Sequence, residues 1–163
     1  MNKYSKSDLA NILHIAVPTK KDQTKRKSLI EYWNKREIIS PIEKNISAGQ
    51  RSHYSENECL IAVIAYKLFL IGFSSDSIFE ITSRIPSRDR QGNLYSALRE
   101  KTLPYRSQYY LSLQEVFHPE PDYIVFMPIF LEENETTIPG SSLQINISLT
   151  DLFSPLYEFM LND

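Results

Sequence analysis

Lys20, Lys21, Lys25, Arg26 and Lys27 crowd into one octet, KKDQTKRK, and the pair Tyr32-Trp33 follows shortly after it. Clustered cations need no cofactor for their chemistry: they attract and bind an anionic partner. Other reactive types are scattered. His14, His53 and His118 lie far apart, and none stands beside a plausible nucleophile or a pair of carboxylates, so acid–base or nucleophilic catalysis has no constellation to work from. Cys59 sits within an apolar run, where a small buried thiol is expected, and as the lone cysteine it excludes an intramolecular disulfide or a cysteine-cluster zinc site. Four glycines leave no room for a Gly-rich phosphate loop. Glu132-Glu133-Asn134-Glu135 reads as a solvated loop rather than a cation site. The expectation is a binding protein with no enzymatic activity, no cofactor and no metal.

Composition agrees with a folded chain: 163 residues, 42% hydrophobic and 23% charged, enough to bury a core in one ordinary or two small domains. Met1-Asn2-Lys3 leads into polar residues, which predicts no secretory leader, and the longest apolar run, Leu60 to Phe73, is interrupted by Lys67 and is too short to span a bilayer. A cytoplasmic protein without membrane contact is expected. The net charge of -2 conceals a division: residues 1–51 carry 11 Lys+Arg against 5 Asp+Glu, and residues 52–163 carry 7 against 15. No Lys or Arg follows Arg106, whereas nine carboxylates do. The basic end and the acidic end are built for different partners.

The elements that would carry the cations can be read from caps and periodicity. Ser7 or Ser5 caps a short helix with Leu9, Ala10, Ile12, Leu13 and Ile15 inward, interrupted at Val17-Pro18. A second helix spans about Gln23 to Arg36, with Leu29, Ile30 and Trp33 as its apolar stripe and Tyr32 alongside; Ser40-Pro41 ends it. Residues 42–54, IEKNISAGQRSHY, read as a hairpin turning at Ala48-Gly49. Ser55 caps a third helix, with Glu58 completing a capping box and Gly72 as the left-handed C-cap; apolar nearly all round, it should be the central core helix. A fourth, capped by Ser74 or Ser75, carries Ile78, Phe79, Ile81 and Ile85.

The ordered set Tyr32-Trp33, Ile38-Ile39-Ser40-Pro41, Arg51-Ser52-His53-Tyr54-Ser55 and Leu70-Ile71-Gly72-Phe73-Ser74 followed by Ile78 resembles the winged helix-turn-helix of the MerR family of transcription regulators, and SDLANIL (7–13) resembles that family's first helix. The resemblance implies a DNA-binding domain over 1–86, with the second helix in the major groove, which admits an α-helix. Lys20, Lys21, Lys25, Arg26, Lys27, Ser28 and Lys35 would then meet DNA from that helix and its approach, and Lys44, Arg51, His53 and Tyr54 from the wing, where cations face backbone phosphates. The aromatic pair would anchor the helix. Two departures stand out. Where the family carries an arginine before its aromatic pair, this chain has Glu31, a residue that can accept from a cytosine amino group or pair with Lys27 or Lys35. The extra stretch AVPTKKDQTK ahead of the aromatic pair either extends the recognition helix or forms a basic loop.

Residues 87–163 lack the sustained heptads of the long dimerising helix that many MerR-like regulators carry; Pro86, Pro104, Pro119, Pro121 and Pro128 interrupt them. The cysteines that metal- and redox-sensing members place after the fourth helix are also absent. SRDRQGN (87–93) reads as a loop, Leu94–Lys101 as a short helix, and Tyr123–Phe130 as a strand whose Pro128 points to a sheet edge or bulge. Leu143–Leu149 alternates as a half-buried strand, EENETTIPGSS is the loop before it, and TDLFSPLYEFML is a helix from a Thr/Asp cap in which Pro155 either occupies the first turn or breaks it. The predicted class is mainly α with small β, a MerR-like module plus a C-terminal α+β segment (a β-hairpin and a terminal helix) for dimerisation or effector binding. The expected function is a homodimeric, sequence-specific regulator of transcription on double-stranded DNA, with a small-molecule or protein effector as a candidate partner of the C-terminal half. The alternatives are a DNA-architectural or recombination accessory protein of a mobile element, and an interaction adaptor that uses the acidic half.

Overall fold

Ser5 and Asp8 satisfy each other's backbone: Asp8 N–H donates to Ser5 Oγ at 3.3 Å and Ser5 N–H donates to Asp8 Oδ2 at 2.8 Å. That reciprocal cap starts α1 (Lys6–Ala16) and selects Ser5 over Ser7. The computed structural model describes residues 3–20, 22–42, 52–85, 109–116, 125–132 and 144–161. Among these the chain is mainly helical, with five helices and a few antiparallel strands, and it divides into two compact units: Met1–Ser83 with Phe153–Asp163, and Arg84–Leu152. The sequence predicts a division after residue 86 with everything beyond it in one segment; Phe153–Asp163 groups instead with the first unit.

In the first unit, β1 (Tyr4–Ser5) precedes α1 and pairs antiparallel with β2 (His53–Tyr54), Tyr4 opposite Tyr54 and Ser5 opposite His53. Ile42 N–H donates to the His53 carbonyl at 2.8 Å, bringing the two ends of the 42–54 segment together. The predicted turn at Ala48-Gly49 lies outside the described residues. α1 buries Leu9, Ala10, Ile12 and Leu13, as its spacing predicts, but leaves Ile15 only partly covered. α2 (Gln23–Lys35) begins at Asp22, whose Oδ1 accepts the Lys25 N–H at 2.8 Å. The extra stretch thus serves in both ways: Gln23–Lys25 form the first turn of α2, while Val17 to Lys20 belong to the connection. Thr19 Oγ1 and the Tyr66 hydroxyl share a hydrogen bond at 2.9 Å that ties this connection to α3.

α3 (Glu56–Leu70) is the core helix, burying Cys59 through Tyr66 and Leu68. Ser55 Oγ accepts the Glu58 N–H at 3.2 Å, the predicted cap. The Glu58 carboxylate accepts the Ser40 N–H at 2.7 Å, so the residue expected to close a local capping box ties the exit of α2 to α3. α4 (Ser75–Ser83) starts from Ser74, whose Oγ accepts the Ser77 N–H, and buries Ile78, Ile81 and Thr82. Phe79, predicted inward, is exposed because the buried strip runs through positions 78, 81 and 82 and position 79 lies off it.

The second unit contains a three-stranded antiparallel sheet in the order β4 (Val125–Glu132), β3 (Tyr109–Val116), β5 (Gln144–Ser148). β4 lies at the edge of that order, where Pro128 opposes Leu113 and a missing N–H is tolerated. The central strand β3 has no counterpart in the sequence expectation of a two-stranded hairpin. α5 (Leu149–Leu161) follows β5 directly; Ser148 Oγ accepts the Asp151 N–H at 3.1 Å, so the cap precedes the predicted Thr150/Asp151, and Pro155 lies inside the helix. The short helix and the loops predicted within 87–104 and 133–142 lie outside the described residues.

Candidate nucleic-acid interface

α2 is fastened along one side and open along the other. Arg26, Ile30 and Trp33, spaced i, i+4 and i+7, form its buried strip. Trp33 meets Tyr66 and Phe69 of α3 edge-on, with ring centroids 6.4 and 6.5 Å apart, geometry that aromatic pairs prefer. Arg26 is 6% exposed and donates Nε–H to the Ala10 carbonyl at 3.1 Å. Gln23 Nε2 donates to Asn11 Oδ1 at 2.8 Å. Lys6 of α1 pairs with Glu31. Read from one end of α1 to the other, the partners on α2 come in reverse order, so the two helices run back along each other.

The open side carries Thr24, Ser28, Glu31 and Lys35 at i, i+4, i+7 and i+11, all exposed, with Lys25 and Tyr32 flanking them. The Ser28 hydroxyl donates to the Thr24 carbonyl at 3.2 Å, and the residue stays exposed. At the C-terminal end the Arg36 guanidinium lies over the Tyr32 ring, 5.6 Å from its centroid, and donates to Asp76 Oδ1 of α4 at 3.1 Å. Glu31 answers the question its sequence position poses: its partner is Lys6 rather than Lys27, with Lys35 near enough to add attraction. The Lys6 hydrogen bond, then the Lys6 charge, hold its carboxyl below the usual range.

Of the residues expected at DNA, Lys20, Lys25, Ser28, Lys35 and His53 are exposed and Lys27 is half-buried. Lys21, Lys44 and Arg51 lie outside the described residues. Two expectations are corrected. Arg26 is a buried tie between α1 and α2, because a side chain four residues before Ile30 and seven before Trp33 must face the core. Tyr54 is fully buried; Asn34 Nδ2 donates to its hydroxyl at 2.6 Å, and burial pushes its ionisation upward, so it braces the end of α2 from β2. The aromatic pair also divides its labour, with Trp33 as the anchor and Tyr32 40% exposed. Thr24, Tyr32 and Arg36 join the open face although none was singled out for it; the spacings 24/28/35 and 25/28/32 were the available signal. Lys6 could not be found that way, because it arrives from another helix.

Cys59 is buried, and desolvation raises its thiol well above its ordinary value, leaving it protonated and inert. Among the described residues no three His, Cys, Asp or Glu side chains gather where they could hold a metal ion, and no helix is long and apolar enough to cross a membrane. No family model matches this chain, and no curated protein matches it.

Proposed function

We propose that the chain is a sequence-specific, double-stranded DNA-binding regulator of transcription, its first unit a MerR-like winged helix-turn-helix and its second unit the part that dimerises or receives an effector. The observation that carries this reading is the open face of α2: Thr24, Lys25, Ser28, Tyr32 and Lys35 stand exposed on a helix whose opposite side is clamped by Trp33 and Arg26. A helix held rigidly from behind, with hydroxyls and ammonium groups in front, has the shape and chemistry to enter a major groove. β2 and the 42–54 segment would lie on the flanking backbone as the wing, with His53 exposed and Tyr54 holding the segment to Asn34. A homodimer would place two such helices on a two-fold operator.

The test is fluorescence anisotropy of the full chain with a pool of short duplexes at low and moderate salt. Binding should weaken as salt rises, the log–log slope changing by roughly 0.9 for each phosphate contact. Changing Lys20, Lys25 and Lys35 together to Ala should shallow that slope and weaken binding on every duplex. Arg26→Ala should instead lower thermal stability. An absence of duplex binding at low salt would move attention to protein partners of the acidic residues 107–163.

A further inference from the structure

Glu31 is an anomaly on a face meant for a polyanion. It occupies the middle of the exposed column of α2, three residues after Ser28 and four before Lys35, so a groove-bound α2 could not avoid bringing its carboxylate to the bases. The side chain is not buried or masked: it is 56% exposed while paired with Lys6. Lys6 engages Oε1, and among the described residues Oε2 takes no hydrogen bond. A glutamate carboxyl is ionised at neutral pH, and Lys6 holds this one further below its ordinary range. The pair therefore offers an acceptor-only carboxylate oxygen on a side chain that stays more than half exposed, with its charge offset by an ammonium group held beside it.

Resting on the DNA-binding reading above, we infer that Glu31 is a specificity-determining residue that reads a cytosine through its N4 amino group, with Lys6 offsetting the repulsion between the carboxylate and the nearby phosphates. The choice of base follows from the groove edges. Guanine O6 and N7 and thymine O4 are acceptors and repel a carboxylate. Adenine has an N6 donor, but its N7 acceptor stands next to it and would meet the second carboxylate oxygen. Cytosine presents a donor with no acceptor of its own beside it in the major groove. Lys6 is the first residue of α1 and its side chain stays 38% exposed, so its ammonium can attract a phosphate while still bonded to Glu31.

The experiment is selection of preferred sequences from a randomised duplex pool by the full-length protein and by its Glu31→Ala and Glu31→Gln variants, at one moderate salt concentration. The wild-type motif should contain one position where cytosine is preferred by on the order of tenfold. Glu31→Ala should flatten that position alone and leave affinity for unselected duplex equal or higher. Glu31→Gln should turn the preference toward adenine, whose N6 and N7 a glutamine amide can bond together. A motif unchanged in both variants, or duplex binding without base preference, overturns the Glu31 assignment and leaves DNA binding standing. A wild-type protein that binds no duplex at low salt overturns both.

Discussion

α2 and α3 belong to one unit, and each begins at a side-chain cap, Asp22 in one and Ser55 in the other. They also end alike. Ile38 N–H reaches the Trp33 carbonyl and Glu37 N–H the Asn34 carbonyl at the end of α2; Phe73 N–H reaches the Leu68 carbonyl and Gly72 N–H the Phe69 carbonyl at the end of α3. With the same punctuation they do opposite things. α3 buries side chains all round, whereas α2 commits one strip to the core and leaves the rest open. A helix surrounded by core can only be a support. A helix clamped on one side can present chemistry, and it needs a few strong attachments to do so without rocking. Trp33, Arg26 and the Asn34–Tyr54 hydrogen bond are those attachments.

The sharpest way to break the comparison is at Trp33, where the open helix is joined to the closed one. Trp33→Ala removes the ring contacts with Tyr66 and Phe69 and should cost about 3–5 kcal/mol, enough to unfold the unit or nearly so. Tyr32→Ala, one residue away on the exposed side, should cost under about 1 kcal/mol, since only its stacking with Arg36 and a half-exposed ring are lost. Denaturant unfolding monitored by circular dichroism separates the two. Equal losses would mean that the pair acts as one anchor and that α2 has no open face.

The helix ends test whether the shared punctuation is equally well made. Gly72 has φ 103° and Glu37 has φ 56°, both in the left-handed region, but only the glycine lacks a Cβ to penalise it. Gly72→Ala should destabilise by about 1 kcal/mol, although nothing lies within 4 Å of the added Cβ, because the cost is in the backbone. Glu37→Gly should stabilise by up to about 1 kcal/mol. Opposite signs in thermal unfolding are the expected outcome; a loss at both sites would mean that contacts of the Glu37 side chain outweigh its backbone strain.

The same pair shows what local pattern reveals. Gly72 was legible because glycine after an apolar run is a stop signal, and so were the Ser55 and Ser74 caps and the inward set of α1. Glu37 carries no such mark: it stands between the exposed end of α2 and the buried Ile38 and Ile39, and its residue type does not signal a left-handed turn. Arg26 stands in a run of cations, so its type points to the surface, while its spacing to Ile30 and Trp33 puts it in the buried strip. β1 escaped because two residues have no periodicity; only pairing with β2 defines them. β3 carries the alternation Leu111-Ser112-Leu113-Gln114, but Ser112 and Gln114 are buried as Leu111 and Leu113 are, so the polar positions do not mark a wet face. The alternation of β5 runs on into Leu149, the first residue of α5, and so hides where the helix begins. The exposed face of α2 was legible in its cations, but the Lys6–Glu31 pair rests on two helices meeting.

That pair gives the smallest effect and the finest distinction. Glu31 is ionised more readily in the folded chain than an ordinary carboxyl, chiefly through its hydrogen bond to Lys6. A depressed folded value means that the stabilisation is fully present above the ordinary carboxylate range, near pH 4, and is lost as pH falls through the folded value. Both groups are well exposed, so the pair should be worth about 0.2–1 kcal/mol and should weaken with salt. Lys6→Ala should therefore lower stability at pH 7 by a few tenths of a kcal/mol and leave it nearly unchanged at pH 2. The variant also leaves the clamped side of α2 intact, because Arg26, Ile30 and Trp33 do not depend on it. A Lys6→Ala loss of equal size at both pH values would mean that the lysine stem, rather than its charge, holds the N-terminus of α1 to α2, and that the carboxylate of Glu31 is ordered by something other than its partner.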